Sequence, residues 1–346
     1  MNNAQATGDW LRHAQALPDL CALRVAALCL RYSLVTLLSA PLWSGHLQAQ
    51  PLTLTVADYR TYLPDTHPVP QALQALAQTV NHQPVLPLPL EVIRNPLQGT
   101  PRQQIQALQN GTAQAPNLML AAASGLAELV PSFSGFDAPY AIQGAEQAEQ
   151  FYASEAAEQM LRQLHDAGLH GLAWMENGWR VITANRPLDS LQDFHDLRIR
   201  TIPIALSQQL FQALGATPVS LPANQVQAAL SAGKLPAQES FITQLLQQPL
   251  QQYHPHLWLT QHSYGAQVLV MNLKQWQQLS HAQQLHLQTS ARTAAAMQRQ
   301  RMRQFDQLAL ATLAAQGIQI HQPSGELLQT LKDATRHLRA PHQAAP

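Results

Sequence analysis

From Ser280 to Gln316 the chain runs through alanine, glutamine and leucine without a proline, and this one stretch limits the folds open to it. Ser280 followed by Gln283 is a capping-box pattern, in which each side chain serves the other residue's backbone N–H, and Gly317 supplies a stop. The pattern predicts a helix of about 36 residues, or roughly 54 Å at 1.5 Å per residue. A lobe made from half the chain is only about 30 Å across by the size scaling of compact domains. The length of 346 residues suggests about two domains, so such a helix must run past one and brace both.

Before that helix the chain alternates between two periodicities. Pro51 to Tyr59 alternates apolar and polar residues as a strand does, and Val69 to Val80 has apolar residues at helical spacing with Pro70 early. Val85 to Ile93 reads as an edge strand, because its prolines cannot donate to a ladder. Arg102 to Asn110 is a helix stopped by Gly111, and Asn117 to Ala123 is an apolar run suited to a buried parallel strand. Strand, helix, strand, helix, strand argues for a parallel sheet covered by helices. Further on, Glu146 to Ala167 reads as one helix, and Ala205 to Leu214 and Asn224 to Ala232 as two more around a strand at Pro218 to Leu221. Ala237 to Phe241 is the next strand, followed by a glutamine-rich helix to Gln252. Gln267 to Met271 and Gly317 to His321 complete the strands, and Glu326 to Leu338 is a last helix.

Composition narrows the partner. Charged residues are 12% and the formal net charge is zero, about half the usual charged fraction, with no basic stripe to hold nucleic acid or an anionic membrane. The two cysteines, Cys21 and Cys29, precede residue 30, so the rest of the chain can form neither a disulfide nor a thiolate metal site. Arg24 and Arg31 lead into the apolar run Tyr32 to Trp43, and the chain turns polar towards Ala49, the order of a secretory signal. That run is short of the ~20 residues that span a bilayer. Cleavage after Ala49 and export are expected, leaving a mature protein without cysteine.

The chemistry concentrates between Glu176 and Thr201. Arg180 opens the β-like run Arg-Val-Ile-Thr and Arg200 closes Leu-Arg-Ile-Arg-Thr, with Pro187 and the Asp189/Ser190 pair marking a turn between them. Two strands joined by such a crossover can bring both guanidinium groups to one place. Each offers a planar fork of donors that matches a carboxylate and stays charged at ordinary pH. Trp174, Trp179 and Phe241 are candidate apolar walls, and Gly178 and Gly265 candidate hinges. Arg180 could instead pair with Glu176. His254, His256 and His262 lack the convergent ligand set that zinc requires and read as solvated loop residues. No Gly-x-Ser-x-Gly elbow, His-Glu-x-x-His pair or phosphate loop occurs, so no enzyme is expected.

Several segments, in order, are similar to the extracytoplasmic solute receptors of tripartite ATP-independent periplasmic (TRAP) transporters, the DctP-like family. They are Ala122 to Pro131 leading to Phe136-Asp137-Ala138-Pro139-Tyr140, Gly178-Trp179-Arg180, Arg186-Pro187-Leu188, and Leu191 to Arg200. Leu214 to Val219, Pro222 to Gly233, Gln238-Glu239 and Asn272 to Leu279 continue the likeness. The resemblance implies an α/β, two-lobed periplasmic binding protein fold of type II-like architecture, with the long helix spanning the lobes. One lobe would comprise 51–177 with 266–305, the other 178–265 with 306–338, after a leader at 1–49 and before a tail at 339–346. It implies a monomeric periplasmic receptor that takes a small organic acid and passes it to the permease membrane subunits, with no cofactor or metal. Arg200 would be the carboxylate anchor and Arg180 its helper. Two positions depart from the family pattern: Ser240, beside Phe241, stands where an asparagine is usual, and Pro101 where an acidic residue is common. They leave open a ligand less polar than a sugar acid, and an exported sensor or scaffold that passes nothing on. A periplasmic hydrolase is the remaining alternative.

Overall fold

The computed structural model describes residues 53–60, 63–83 and 87–339. The leader, Cys21, Cys29, the cleavage point after Ala49 and nearly all of the tail lie outside the described residues. Strand β1 (Leu54–Asp58), helix α1 (Pro68–Asn81), β2 (Leu90–Val92), α2 (Pro101–Asn110) and β3 (Leu118–Ala122) follow the expected alternation. β1 pairs in parallel with both β2 and β3. Local chemistry sets these elements: Thr100 and Gln103 form a capping box at α2. Pro101 occupies the first turn, where a missing N–H costs nothing, and Gly111 ends the helix at φ 59°.

The long helix expected over 146–167 is instead two, Ala145–Tyr152 and α3 (Glu155–Gln163). The Ser154 hydroxyl accepts from Ala157 N, and that cap starts a new helix where the periodicity alone would have continued the first. The glutamine-rich helix expected to reach Gln252 is likewise broken into Ile242–Leu245 and Leu250–Tyr253, with Pro249 between. In the opposite sense, the short β-like run expected at Arg180 is the end of the 16-residue β4 (Leu169–Ala184).

Beyond β4 come β5 (Arg198–Thr201), α4 (Ala205–Ala213), β6 (Thr217–Ser220), α5 (Ala223–Ser231), β7 (Ala237–Phe241), β8 (His256–Trp258) and β9 (Tyr264–Asn272). The 35-residue α6 (His281–Ala315), β10 (Gln319–His321) and α7 (Gly325–Ala334) complete the order. The sheet runs β2-β1-β3-β9-β4-β7-β5-β6, with β8 pairing both β4 and β10. It is mixed rather than wholly parallel, because β9 is antiparallel to β3 and β4, and β7 to β4.

β4 organises this sheet. From Leu169 to Trp179 it pairs with β9, and from Arg180 to Ala184 with β7. Alternate residues enter cores on opposite faces: Met119 and Val268 on one, Leu120 and Leu269 on the other in the first half. Ile182 and Val181 divide the same way in the second half. α6 reaches both halves, with Leu287, Ala291 and Ala294 in a core of the first and Ala309 and Leu313 in a core of the second. Capped by Ser280 and Gln283 as expected, it does span both.

Where α6 crosses β4, charge and amide groups join them. Gln298 bonds the backbone N and O of Glu176 at 3.0 and 2.8 Å. Arg303 donates to both Glu176 carboxylate oxygens at 3.0 and 2.8 Å, and the Tyr264 hydroxyl donates to one at 2.6 Å. Glu176 is therefore the partner of Arg303, not of Arg180. Two residues on, Gly178 has φ +80° and a Cβ there would lie 2.5 Å from Asp306 Oδ2. Gly178→Ala should cost ~1–3 kcal/mol, the range for a non-glycine residue held in the left-handed region. Urea unfolding compared with a Gly233→Ala control, which meets no heavy atom within 4 Å, separates the clash from the backbone strain.

Candidate functional site

Antiparallel pairing of β4 with β7 sets Arg180 opposite Phe241 and Ile182 opposite Glu239. Parallel pairing of β5 with β7 sets Arg200 beside Gln238. Three strands from distant parts of the sequence thus converge on Glu239, which is fully buried. Arg180 Nε donates to Glu239 Oε2, and Ile202 N donates to its Oε1 at 2.8 Å. Arg200 Nη1 donates to the Glu239 backbone oxygen at 3.2 Å and its Nε to Leu221 O at 2.8 Å. Burial opposes ionisation of Glu239, but the Arg180 charge foremost, then His262 and Arg200, hold its carboxyl well below the usual range. Both arginines are 3% exposed.

Arg180 is anchored without being saturated. Its guanidinium lies 4.3 Å from the centre of the Phe241 ring, and its buried Nη2 makes no hydrogen bond among the described residues. The Phe241 ring in turn occupies the space a side chain would need at Gly265, where a Cβ would come within 2.5 Å of it. Gly265 is thus required for close approach, and Phe241 is the apolar wall against Arg180. Asp137 completes this side. Burial pushes its carboxyl up to about 7, with Arg180 pulling it down and Glu239 pushing it further up.

The other face of the site comes from β1, β4 and β9. Arg60 is held by Asp58 through Nε at 3.0 Å and Nη2 at 2.7 Å, and its Nη1 donates to Asn177 Oδ1 at 2.7 Å. Burial raises the Tyr59 hydroxyl above its ordinary pKa; Arg60 pulls it back, Asp58 adds to the rise, and Arg180 and Gln267 act on it in turn.

The remaining sequence candidates fall elsewhere. Trp174 stacks with Phe133 at 5.4 Å and Tyr152 at 5.8 Å, and its indole N–H donates to Ala157 O at 3.3 Å. Trp179 packs on Tyr264 at 4.9 Å and donates to Ile142 O at 3.3 Å. Both belong to the aromatic core of the first half-sheet. Ser240 alternates with Glu239 and Phe241 along β7, and its hydroxyl donates to Gln244 Oε1 at 3.3 Å. His254 and His262 are not solvated as the sequence suggested, whereas His256 is half-buried. His254 is buried between Thr183 Oγ1 at 3.0 Å and Leu235 O at 2.7 Å, and His262 lies 2.8 Å from Thr260 Oγ1. Among the described residues no group of three or more His, Cys, Asp or Glu could hold a metal ion. Nor is any helix there long and apolar enough to cross a membrane.

Glu239 and Asp137 entered only as parts of the family likeness, and none of Glu239, Asp137, Asn177 and Gln267 was named from sequence as a site residue. Glu239 carried the clearest signal, a carboxylate at the centre of the expected strand Ala237 to Phe241, since burying a charge is costly unless it is paired.

Comparison with known proteins gives a consistent picture. The model of the family described as bacterial extracellular solute-binding protein, family 7 matches residues 59–344. The C4-dicarboxylate-binding periplasmic protein DctP of Rhodobacter capsulatus is 28% identical over 177 residues, 51% of this chain and 52% of that protein. The match thus spans about half that relative's length. The 2,3-diketo-L-gulonate-binding periplasmic protein YiaO of Escherichia coli is 25% identical over 67% of this chain and 70% of its own. Among solved structures, a TRAP periplasmic solute-binding protein from Ochrobactrum anthropi superposes with a TM-score of 0.77 and 25% identity. It covers 85% of this chain and 91% of that one, and has its C-terminus bound in the ligand-binding pocket.

Proposed function

Since the chain belongs to bacterial extracellular solute-binding protein family 7, we propose that it is an exported, non-enzymatic receptor that closes two lobes on a small organic acid and delivers it to a TRAP-type membrane permease. The lobes would be 51–177 with 266–305 and 178–265 with 306–338, and the receptor a monomer in the periplasm. The observation that carries this reading is the buried Nη2 of Arg180, a charged donor without an acceptor among the described residues, beside a second buried arginine. Two guanidinium groups face one ionised carboxylate there, and a buried site of that sign calls for an anion. Arg200 is the principal anchor, Arg180 and Phe241 its flank, and Ser240 a hydrogen-bonding position at the edge. The relatives named for C4-dicarboxylate and 2,3-diketo-L-gulonate binding support the ligand class.

Hinge bending where β4 changes partner, near Gly178 and Gly265, would bring the two faces together. Small-angle scattering tests this: a saturating organic acid should lower the radius of gyration, and the acid should be recovered chemically unchanged. An unaltered radius at saturation contradicts closure, and conversion of the acid contradicts a receptor.

Asp137 makes the binding depend on pH. With its pKa near 7, it is largely neutral at pH 6 and a second anion beside Arg180 at pH 8. The affinity for a carboxylate should therefore fall on going from pH 6 to pH 8, by up to about tenfold per unit above the pKa under proton linkage. Asp137→Asn should flatten the dependence in calorimetric titrations at the two pH values.

A further inference from the structure

We infer that His165 and His170 hold a divalent transition-metal ion, copper(II) ahead of the others, on a surface remote from the two buried arginines. His165 lies in the turn after α3 and His170 is the second residue of β4. Arg180 stands ten residues further along that strand, roughly 30 Å away at the rise of an extended chain. The inference is independent of the carboxylate reading of Arg200 and Arg180.

His170 is held as a metal ligand is held. Its Nε2 lies 3.1 Å from Gln288 Oε1, and Gln288 is itself fixed because its Nε2 donates to Leu172 O. An amide oxygen only accepts, so the proton of the neutral ring sits on Nε2 and Nδ1 keeps a bare lone pair. Metal-ligating histidines are oriented in this way, by an acceptor on the ring nitrogen that does not touch the ion. The ring also stacks on Trp276, in the helix Leu273–Gln278, at 3.8 Å and 10°. Burial foremost lowers its pKa to about 4, with Gln288 opposing and His165 and Arg292 adding to the fall, so the ring is neutral at neutral pH.

That lone pair faces a second imidazole. His165 Nε2 is 2.8 Å from His170 Nδ1, and His165 is exposed. Two nitrogens each ~2.0 Å from one ion and at right angles to it stand ~2.8 Å apart, whereas a tetrahedral pair stands ~3.3 Å apart. The observed separation suits the tetragonal coordination of copper(II) or nickel(II), and copper binds a given nitrogen site the more tightly. Without an ion, His165 Nε2–H donates to His170. With one, His165 carries its proton on Nδ1 and turns Nε2 to the metal, and water fills the remaining positions.

The surroundings admit a cation. His165 follows the C-terminal end of α3, where the backbone carbonyls favour positive charge. Arg292, the arginine that acts on His170, is paired with Glu158 at 2.8 Å. A second close pair, His256 Nδ1 and His321 Nε2 at 3.0 Å, joins β8 and β10. Its contribution to copper binding is removed by His321→Asn.

Titration of tag-free His321→Asn protein with copper(II) in a weakly coordinating buffer, read by calorimetry and tryptophan fluorescence, tests the site. Saturable one-to-one binding is expected, with quenching, because the ion lies against the His170–Trp276 stack. Zinc(II) should bind more weakly than copper(II). Adding His165→Ala should weaken copper by about tenfold or more and, at an exposed position, leave the metal-free melting temperature unchanged. Gln288→Leu, which removes no ligand, should weaken copper by about 10–100-fold, the range for losing an outer-shell partner, and Gln288→Glu should restore it. Trp276→Phe should remove most of the quenching and leave the calorimetric affinity in place. A parent protein without saturable copper binding overturns the site, and that titration needs no variant at the pair. Copper affinity unchanged in His165→Ala, or in Gln288→Leu, also overturns it.

Discussion

Replacing Arg200 by alanine is expected to weaken binding of the cognate acid by roughly 30-fold to several thousandfold. The range is that for breaking a buried charge pair, ~2–5 kcal/mol, at about 1.4 kcal/mol per tenfold. Arg200 is 3% exposed and held by Leu221 O and Glu239 O, so its guanidinium is fixed before any ligand arrives. A ligand therefore loses little to ordering the side chain, and its removal leaves a desolvated carboxylate to the flanking Arg180 alone. Arg200→Lys should recover only part of the loss, because a point charge cannot reproduce the two-pronged fork. Titration calorimetry on both variants, with melting curves to verify folding, reads the effect. Affinity within a factor of two of wild type in Arg200→Ala would remove the anchor from the account.

The largest loss of stability should follow Glu239→Ala. Glu239 is fully buried, pairs with Arg180, and accepts from Ile202 N at 2.8 Å. Deleting one partner of a buried ion pair typically costs ~3–5 kcal/mol, because the remaining charge stays buried without compensation. Arg180, 4% exposed along its side chain, would be that charge. The depressed Glu239 pKa also fixes the sign of a pH effect. A carboxyl whose folded pKa lies below its unfolded value stabilises the fold above the unfolded pKa and loses that contribution as pH falls. Wild type should therefore lose stability on acidification below about pH 4, near the ordinary glutamate value. Glu239→Gln should lose less over the same range. Chemical denaturation at neutral and acidic pH measures both.

How much of this was legible in the sequence follows the range of each interaction. The cap at Ser280 and Gln283, the stops at Gly111 and Gly317, and strand β7 were read correctly, because a few neighbouring residues decide them. The break at Ser154 was missed because helical periodicity continues through it and only the hydroxyl's hydrogen bond to Ala157 N divides it. Arg180 and Arg200 were found as a pair, and the structure brings both to Glu239. Their common partner was not found, since Arg180 and Glu239 are 59 residues apart and meet only through the β4–β7 register.

The tryptophans illustrate a different limit. Trp174 and Trp179 flank an irregular step in β4, so counting by twos along the strand does not fix which face each takes. Both face the aromatic core, which leaves Phe241 as the apolar surface against Arg180. The histidines behave similarly. His254 and His262 looked solvated because Thr183 and the other groups that bury them come from separate segments. Gln267 opens an apolar run and gave no sign in sequence that its amide would be buried beside Tyr59.

The most direct test of the central claim is a thermal-shift comparison of organic acids with their own neutral amides on wild-type protein. An acid present at 100 times its dissociation constant should stabilise the fold by ~2.7 kcal/mol. For about 300 folded residues, with an unfolding entropy of ~2.1 cal/mol/K each, that raises the melting temperature by roughly 4 °C. The matched amide, lacking the charge that Arg200 and Arg180 are placed to meet, should leave the melting temperature within about 1 °C of the ligand-free value. A panel of carboxylates that produces no shift, or amides that stabilise as much as the acids, would contradict the assignment of this site to an organic anion.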